Sequence, residues 1–129
     1  MKYITTYIKK TIEGRPIVLA TINEDGIPHL IGVTCYKVIG KTRILLCDTY
    51  MEKTLENIYM NKNVTLFAWN EYYEGYEFIG KVKYSTKGKW FRICKELKEK
   101  KNLPCKGALL VDIKKIVKSK NKKRKLTSK

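Results

Sequence analysis

At 129 residues the chain has room for one domain with one moderate core. Its 43% hydrophobic and 31% charged residues are globular proportions that exclude a wholly disordered chain, and no apolar run approaches the roughly 18 residues of a membrane-spanning helix. The formal charge of +16 is uneven: nine of the 28 basic residues and none of the 12 acidic ones fall in residues 114–129, so the excess is largely a C-terminal tail.

The chain begins "MKYITTYIKKTIEG", which alternates polar and apolar residues and lacks the continuous apolar stretch of a secretion signal, so a cytoplasmic location is expected. Tyr3, Ile4, Tyr7, Ile8 and Ile12 recur at helical spacing, with Gly14 placed to end a short first helix. The pattern then changes. Ile17 to Ile22 is apolar and rich in β-branched residues, "NEDG" is turn chemistry, and "PHLIGVTCYKVI" resumes a strand that Gly40 and Lys41 turn into a third, "TRILLCD". These three strands pair most economically as antiparallel neighbours.

A second helix is expected over residues 50–61. Thr49 and Glu52 have the spacing of a capping box, and Leu55, Ile58 and Tyr59 supply an apolar face. "NVTLFAWN" and "EYYEGYEFIGKVKYS" follow as a fourth and a long fifth strand, with Gly75 and Gly80 as bend points. "KWFRICKELKEKK" puts Trp90, Ile93, Cys94 and Leu97 on one face of a third helix whose outer face is rich in lysine. "GALLVDIKKIVKS" is a sixth strand. This order conflicts with the regular strand–helix alternation of a parallel sheet and predicts a mainly β domain with α decoration, a six-stranded antiparallel barrel. The domain is drawn over residues 1–117, and 118–129 as a lysine-rich tail suited to weak, salt-sensitive contact with a polyanion.

Motifs for the common chemistries are absent. The sequence has no G-x-S-x-G, H-E-x-x-H, P-loop or G-x-G-x-x-G, which removes the usual basis for a hydrolase, a zinc protease, a nucleotide triphosphatase or a dinucleotide-binding fold. Cys35, Cys47, Cys94 and Cys105 include no C-x-x-C pair and read as reduced, buried thiols, and no metal site is expected. The lone histidine, His29, has no placed carboxylate or nucleophile and reads as structural. Any chemistry is then carried by a bound cofactor. Lys53 and Thr54 stand in the first turn of the second helix, where unpaired N–H groups and the helix dipole favour an anion; by spacing alone a solvated helix surface is the commoner place for them. Trp69, Tyr72, Tyr73 and Tyr76 crowd around one turn, and can stack on a flat ring or on bases, or serve a core or dimer contact.

The succession "PIVLATINEDGIPHLIGV", "TRILLCDTYMEKTLENIYMNKNVTLFAW", "GYEFIGKVKYS" and "GALLVDIKKIVKSK" resembles the pyridoxamine 5'-phosphate oxidase-like family of split barrels that bind flavin mononucleotide (FMN). The resemblance implies a homodimer with two flavins at the interface. It assigns the flavin phosphate to Lys53 and Thr54, and the ring and ribityl chain to Val33, Thr34 and Cys35 with Cys47, Asp48 and Thr49. It brings Trp69 and Tyr76 from the other subunit. Two departures matter. Glu52 stands where the oxidase has a basic phosphate ligand, so it either caps the helix or opposes the phosphate, and the lysine tail has no counterpart to the oxidase's substrate-binding arginine and histidine. Pyridoxamine phosphate is therefore not the expected substrate. The resemblance instead implies a flavoprotein oxidoreductase passing electrons from a reduced nicotinamide to a small acceptor, with a deazaflavin or haem as alternative cofactors. Two other readings stay open, a basic nucleic-acid-binding barrel and a relative that has lost its flavin.

Overall fold

A computed structural model describes residues 1–119. Ten elements follow in chain order: α1 (Thr6–Ile12), β1 (Ile17–Ile22), β2 (Pro28–Val33), β3 (Tyr36–Ile39), β4 (Arg43–Asp48), α2 (Lys53–Met60), β5 (Asn63–Trp69), β6 (Gly75–Ser85), α3 (Lys89–Glu99) and β7 (Gly107–Ser119). The strands form one sheet in the order β2-β1-β5-β6-β7-β4-β3, and every pairing is antiparallel.

The run from Pro28 to Ile39 is where the structure departs from a simple strand count. Its first half pairs with β1 at one edge of the sheet and its second half with β4 at the other. Thr34 and Cys35 form the joint between them, so the two edges of the sheet are consecutive pieces of one bent chain. Counted as one bent strand this gives six, and the sheet curls on itself as a barrel. The Cys47 N–H donates to the Cys35 carbonyl at 3.0 Å, carrying the β3–β4 ladder into the joint.

Alternation along the strands sorts side chains to the inside. The burial of Ile17, Leu19 and Thr21 on β1 and of Val64, Leu66 and Ala68 on β5 follows the period of two. The apolar ones among these, with Phe78, Leu109, Val111 and Ile113, belong to the main core. A smaller cluster of Cys35, Leu45, Cys47, Cys94 and Ala108 lies under α3. The expected bend at Gly80 coincides with a register shift against β7, where a Cβ would collide with the Asp112 carbonyl. Gly75 opens β6 and does not bend it; the turn before it is built by Asn70, whose side-chain oxygen accepts the N–H groups of Tyr72 and Glu74 at 2.9 and 3.0 Å.

The helices differ from expectation in instructive ways. Only Ile8 and Ile12 of α1 are buried, while Tyr3 and Tyr7 face out. On α2 the buried positions are Thr54, Asn57 and Ile58, and Tyr59, expected on the inner face, is 84% exposed. Asn57 sets that rotation, its amide donating to the Thr21 hydroxyl at 3.0 Å in a buried pair with β1. On α3 the lysine-rich outer face has one exception: Lys98 points inward beside Cys94. β7 runs through Ser119, so Lys118 and Ser119, which the sequence assigns both to the sixth strand and to the tail, belong to the sheet; residues 120–129 lie outside the described residues. Among the described residues no helix is long and apolar enough to cross a membrane.

Candidate functional site

A cavity of about 400 Å³ opens where the β2–β3 joint faces the start of α2. Its walls contain Val33, Thr34 and Cys35 from the joint, Cys47 and Thr49 from the end of β4, and Lys53 and Thr54 from the first turn of α2. Seven of the ten site residues expected from sequence are thereby brought together from three separate segments.

The start of α2 is not built as its sequence suggests. The Thr49 hydroxyl donates to the Pro104 carbonyl at 3.0 Å and caps nothing. Asp48 accepts the Met51 N–H at 2.8 Å, which carries the chain one turn further, so the helix begins at Lys53 with Glu52 in the capping position. Glu52 makes no side-chain cap there, and the capping-box expectation is corrected. An uncapped N-terminus leaves its first N–H groups without side-chain partners and keeps the positive end of the helix dipole open. Thr54 is 1% exposed, lines the cavity, and has no hydrogen-bond partner recorded for its hydroxyl among the described residues. A hydroxyl of this kind, on an otherwise buried residue and open to a cavity beside a lysine, fits an oxygen-rich anionic group.

The wall supplied by β3, β4 and α3 is made of thiols and one ammonium. Burial pushes the Cys35 thiol up to about 11, and its neighbour Cys47 is pushed far above the ordinary range by the adjoining Cys94 thiol and by burial. Both are neutral at pH 7, and neither has the low pKa of a reactive cysteine. Among the described residues no cluster of three or more His, Cys, Asp or Glu side chains is placed to hold a metal ion.

Three expected site residues lie elsewhere. Asp48 is fully buried behind the cavity, its carboxylate held by the Met51 N–H and by the Tyr84 hydroxyl at 2.9 Å, and is a structural residue of the β4–α2 connection. Tyr76 is 2% exposed in the main core, so it cannot reach a second copy of the chain. Trp69 lines a different, apolar hollow with Phe67 and Tyr73, its ring stacked on Phe67 at 5.5 Å. Conversely His29, Ile31, Gly32, Tyr50, Met51 and Lys98 line the cavity without having been expected there, and Glu52 lines it too, the second of its two expected places. His29 and Ile31 were legible in principle, because they precede Val33 by four and two residues on one face of β2. Lys98 was legible in the same sense, standing four residues after Cys94 on the inner face of α3.

Comparison with known proteins places this geometry. Residues 4–119 match the family model described as pyridoxamine 5'-phosphate oxidase. The chain belongs to that family. It is 30% identical over 114 residues to an uncharacterized protein of Methanocaldococcus jannaschii, covering 85% of this chain and 76% of that one. In fold it is similar to HupZ of Group A Streptococcus, with a TM-score of 0.85 at 18% identity over 92% of this chain and 95% of that one. An FMN-binding protein from Syntrophomonas wolfei subsp. wolfei matches with a TM-score of 0.73 at 17% identity, over 83% and 78% of the two chains. The family's split barrel is the curled antiparallel sheet described above.

Proposed function

We propose that the protein is an FMN-dependent oxidoreductase that takes electrons from a reduced nicotinamide and passes them to a small acceptor. The observation that carries this reading is the convergence of Lys53 and the unpartnered Thr54 hydroxyl at an uncapped helix N-terminus on the wall of a cavity of about 400 Å³. Family membership and the resemblance in fold to an FMN-binding protein support it. When bound, the flavin supplies the hydride and electron transfer.

The chain's own residues have narrower tasks. Lys53, Thr54 and the first N–H groups of α2 bind the phosphate. Val33, Thr34 and Thr49 orient the rest of the cofactor along the joint and the end of β4, beside the neutral Cys35 and Cys47 thiols. A second copy of the chain covers the mouth. Leu30 on β2 and Tyr59 and Met60 on α2 are exposed large apolar residues on the two elements that flank the cavity, and Trp69 is the exposed aromatic residue with which a second copy can meet it.

The test is direct. Purified protein should take up FMN, seen as quenching of flavin fluorescence, and Lys53→Ala should weaken uptake roughly 10- to 100-fold, the value of one charge-assisted contact. Protein that fails to take up added FMN would sink the proposal, and an unchanged affinity in Lys53→Ala would put the phosphate elsewhere.

A further inference from the structure

Lys98 is the feature of the cavity that phosphate binding at α2 leaves unexplained. It is 7% exposed, and its ammonium has no hydrogen bond or carboxylate partner among the described residues. Lysines this deeply buried are ordinarily paired, because an isolated ammonium away from water is costly. Its charge acts on the thiols of Cys35, Cys47 and Cys105, in each case outweighed by burial or by neighbouring thiols. All three thiols have raised pKa values and stay neutral at pH 7, so none of them balances the charge.

The ammonium is not sealed in. No fully buried polar side-chain atom among the described residues lacks a partner, so the ammonium keeps some exposure, and the Lys98 residue lines the cavity. Its place in the fold also separates it from the phosphate site. Lys53 and Thr54 come from α2, whereas Lys98 comes from α3, over the second core cluster that holds Cys35, Cys47 and Cys94. One cavity thus has two cationic walls, and among the described residues no carboxylate lies within ion-pair distance of the second.

We propose that Lys98 binds the anionic group, a carboxylate or a phosphate ester, of the small molecule that accepts electrons in this cavity. The identity of that molecule as an acceptor rests on the flavin reading above; the anion site itself does not. A neutral acceptor of the same shape leaves the ammonium unpaired and binds less well. Lys98 thereby sets specificity by charge, in a cavity whose other wall is taken by the cofactor's phosphate.

A matched pair of probes tests this by equilibrium binding. 4-Nitrobenzoate and 4-nitrobenzamide differ in little but charge, and are titrated by calorimetry into the full-length protein with and without FMN. The wild type should bind the carboxylate roughly 10- to 100-fold more tightly than the amide. Lys98→Gln should abolish that preference, Lys98→Arg should keep most of it, and the affinity of Lys98→Gln for FMN should match the wild type. Circular dichroism of each variant establishes that it is folded. No preference in the wild type, or a preference that survives in Lys98→Gln, overturns the proposal. So does a loss of FMN affinity in Lys98→Gln, which would assign the lysine to the cofactor. Should the wild type take up no FMN, the flavin reading fails by itself, and the carboxylate preference measured without FMN still decides whether Lys98 is an anion site.

Discussion

Glu52 lines the cavity with a carboxylate that no lysine or arginine neutralises within the described residues. It stands next to the lysine proposed to hold a phosphate, and because it does not cap the helix its charge opposes that phosphate. Glu52→Gln should therefore tighten FMN binding, by a few-fold at low salt and less as salt is raised, since the residue is exposed and screened. A fluorescence titration at two ionic strengths measures this, and weaker binding in the variant would mean that the carboxylate assists the ligand. Asp48 is the contrasting neighbour. Its role is internal, so Tyr84→Phe, which removes the hydroxyl donating to it, should cost about 1–3 kcal/mol in a urea unfolding experiment and leave FMN affinity unchanged. Unaltered stability with impaired binding would reverse the assignment.

Among the elements, α1 and β3 are joined by one side chain. The Tyr36 hydroxyl lies 2.8 Å from the carbonyls of both Ile12 and Arg15, tying the end of the helix and the chain after it to the edge of the sheet. Burial, with a smaller contribution from the Glu13 charge, pushes the Tyr36 pKa up from 10.0 to about 12. The folded state therefore favours the neutral phenol. Its contribution to stability is complete below pH 10 and is lost as the pH rises through about 12. Wild-type stability should fall across that window, and Tyr36→Phe should flatten the fall; parallel profiles for the two proteins would exclude Tyr36 as the cause. At this scale much of the fold was legible in the sequence. The strands alternate, the turns contain Gly and Asn, and the helices show a period of 3.6 residues. What failed was orientation and the start of α2. Thr49 and Glu52 have capping-box spacing, but Asp48, one residue earlier, had already taken the Met51 N–H. Tyr59 looked apolar enough to be buried, but the Asn57–Thr21 pair turned the helix away from it. Both outcomes depend on polar side chains meeting partners distant in sequence, which periodicity does not register.

The proposed site has exposed apolar surface at its margins. Leu30 is 63% exposed on β2, the strand that also places His29 and Ile31 in the cavity wall. If a second copy covers this face, the protein should sediment as a dimer, and Leu30→Glu should shift it toward monomer while weakening FMN binding. A wild-type monomer with full FMN affinity would dismiss the second copy from the site. The sequence pointed to three segments that the structure gathers on one cavity, Val33 to Cys35, Cys47 with Thr49, and Lys53–Thr54, short runs on neighbouring elements. It located Lys98 poorly, since a lysine in a lysine-rich helix shows no inward preference until Cys94 has been placed in a core.

The joint at Thr34 and Cys35 gives the cavity a mechanical character. Val33 and Cys35 are the two banks of a seam, one on the strand that ends the sheet on one side and one leading into the strand that ends it on the other. A molecule resting on both banks, as proposed for the cofactor, would act as a clasp across a seam whose chain link is two residues long. Fraying of either edge and departure of the ligand then become one event, so the residence time of a bound cofactor is governed by how often the barrel opens as well as by the strength of its contacts.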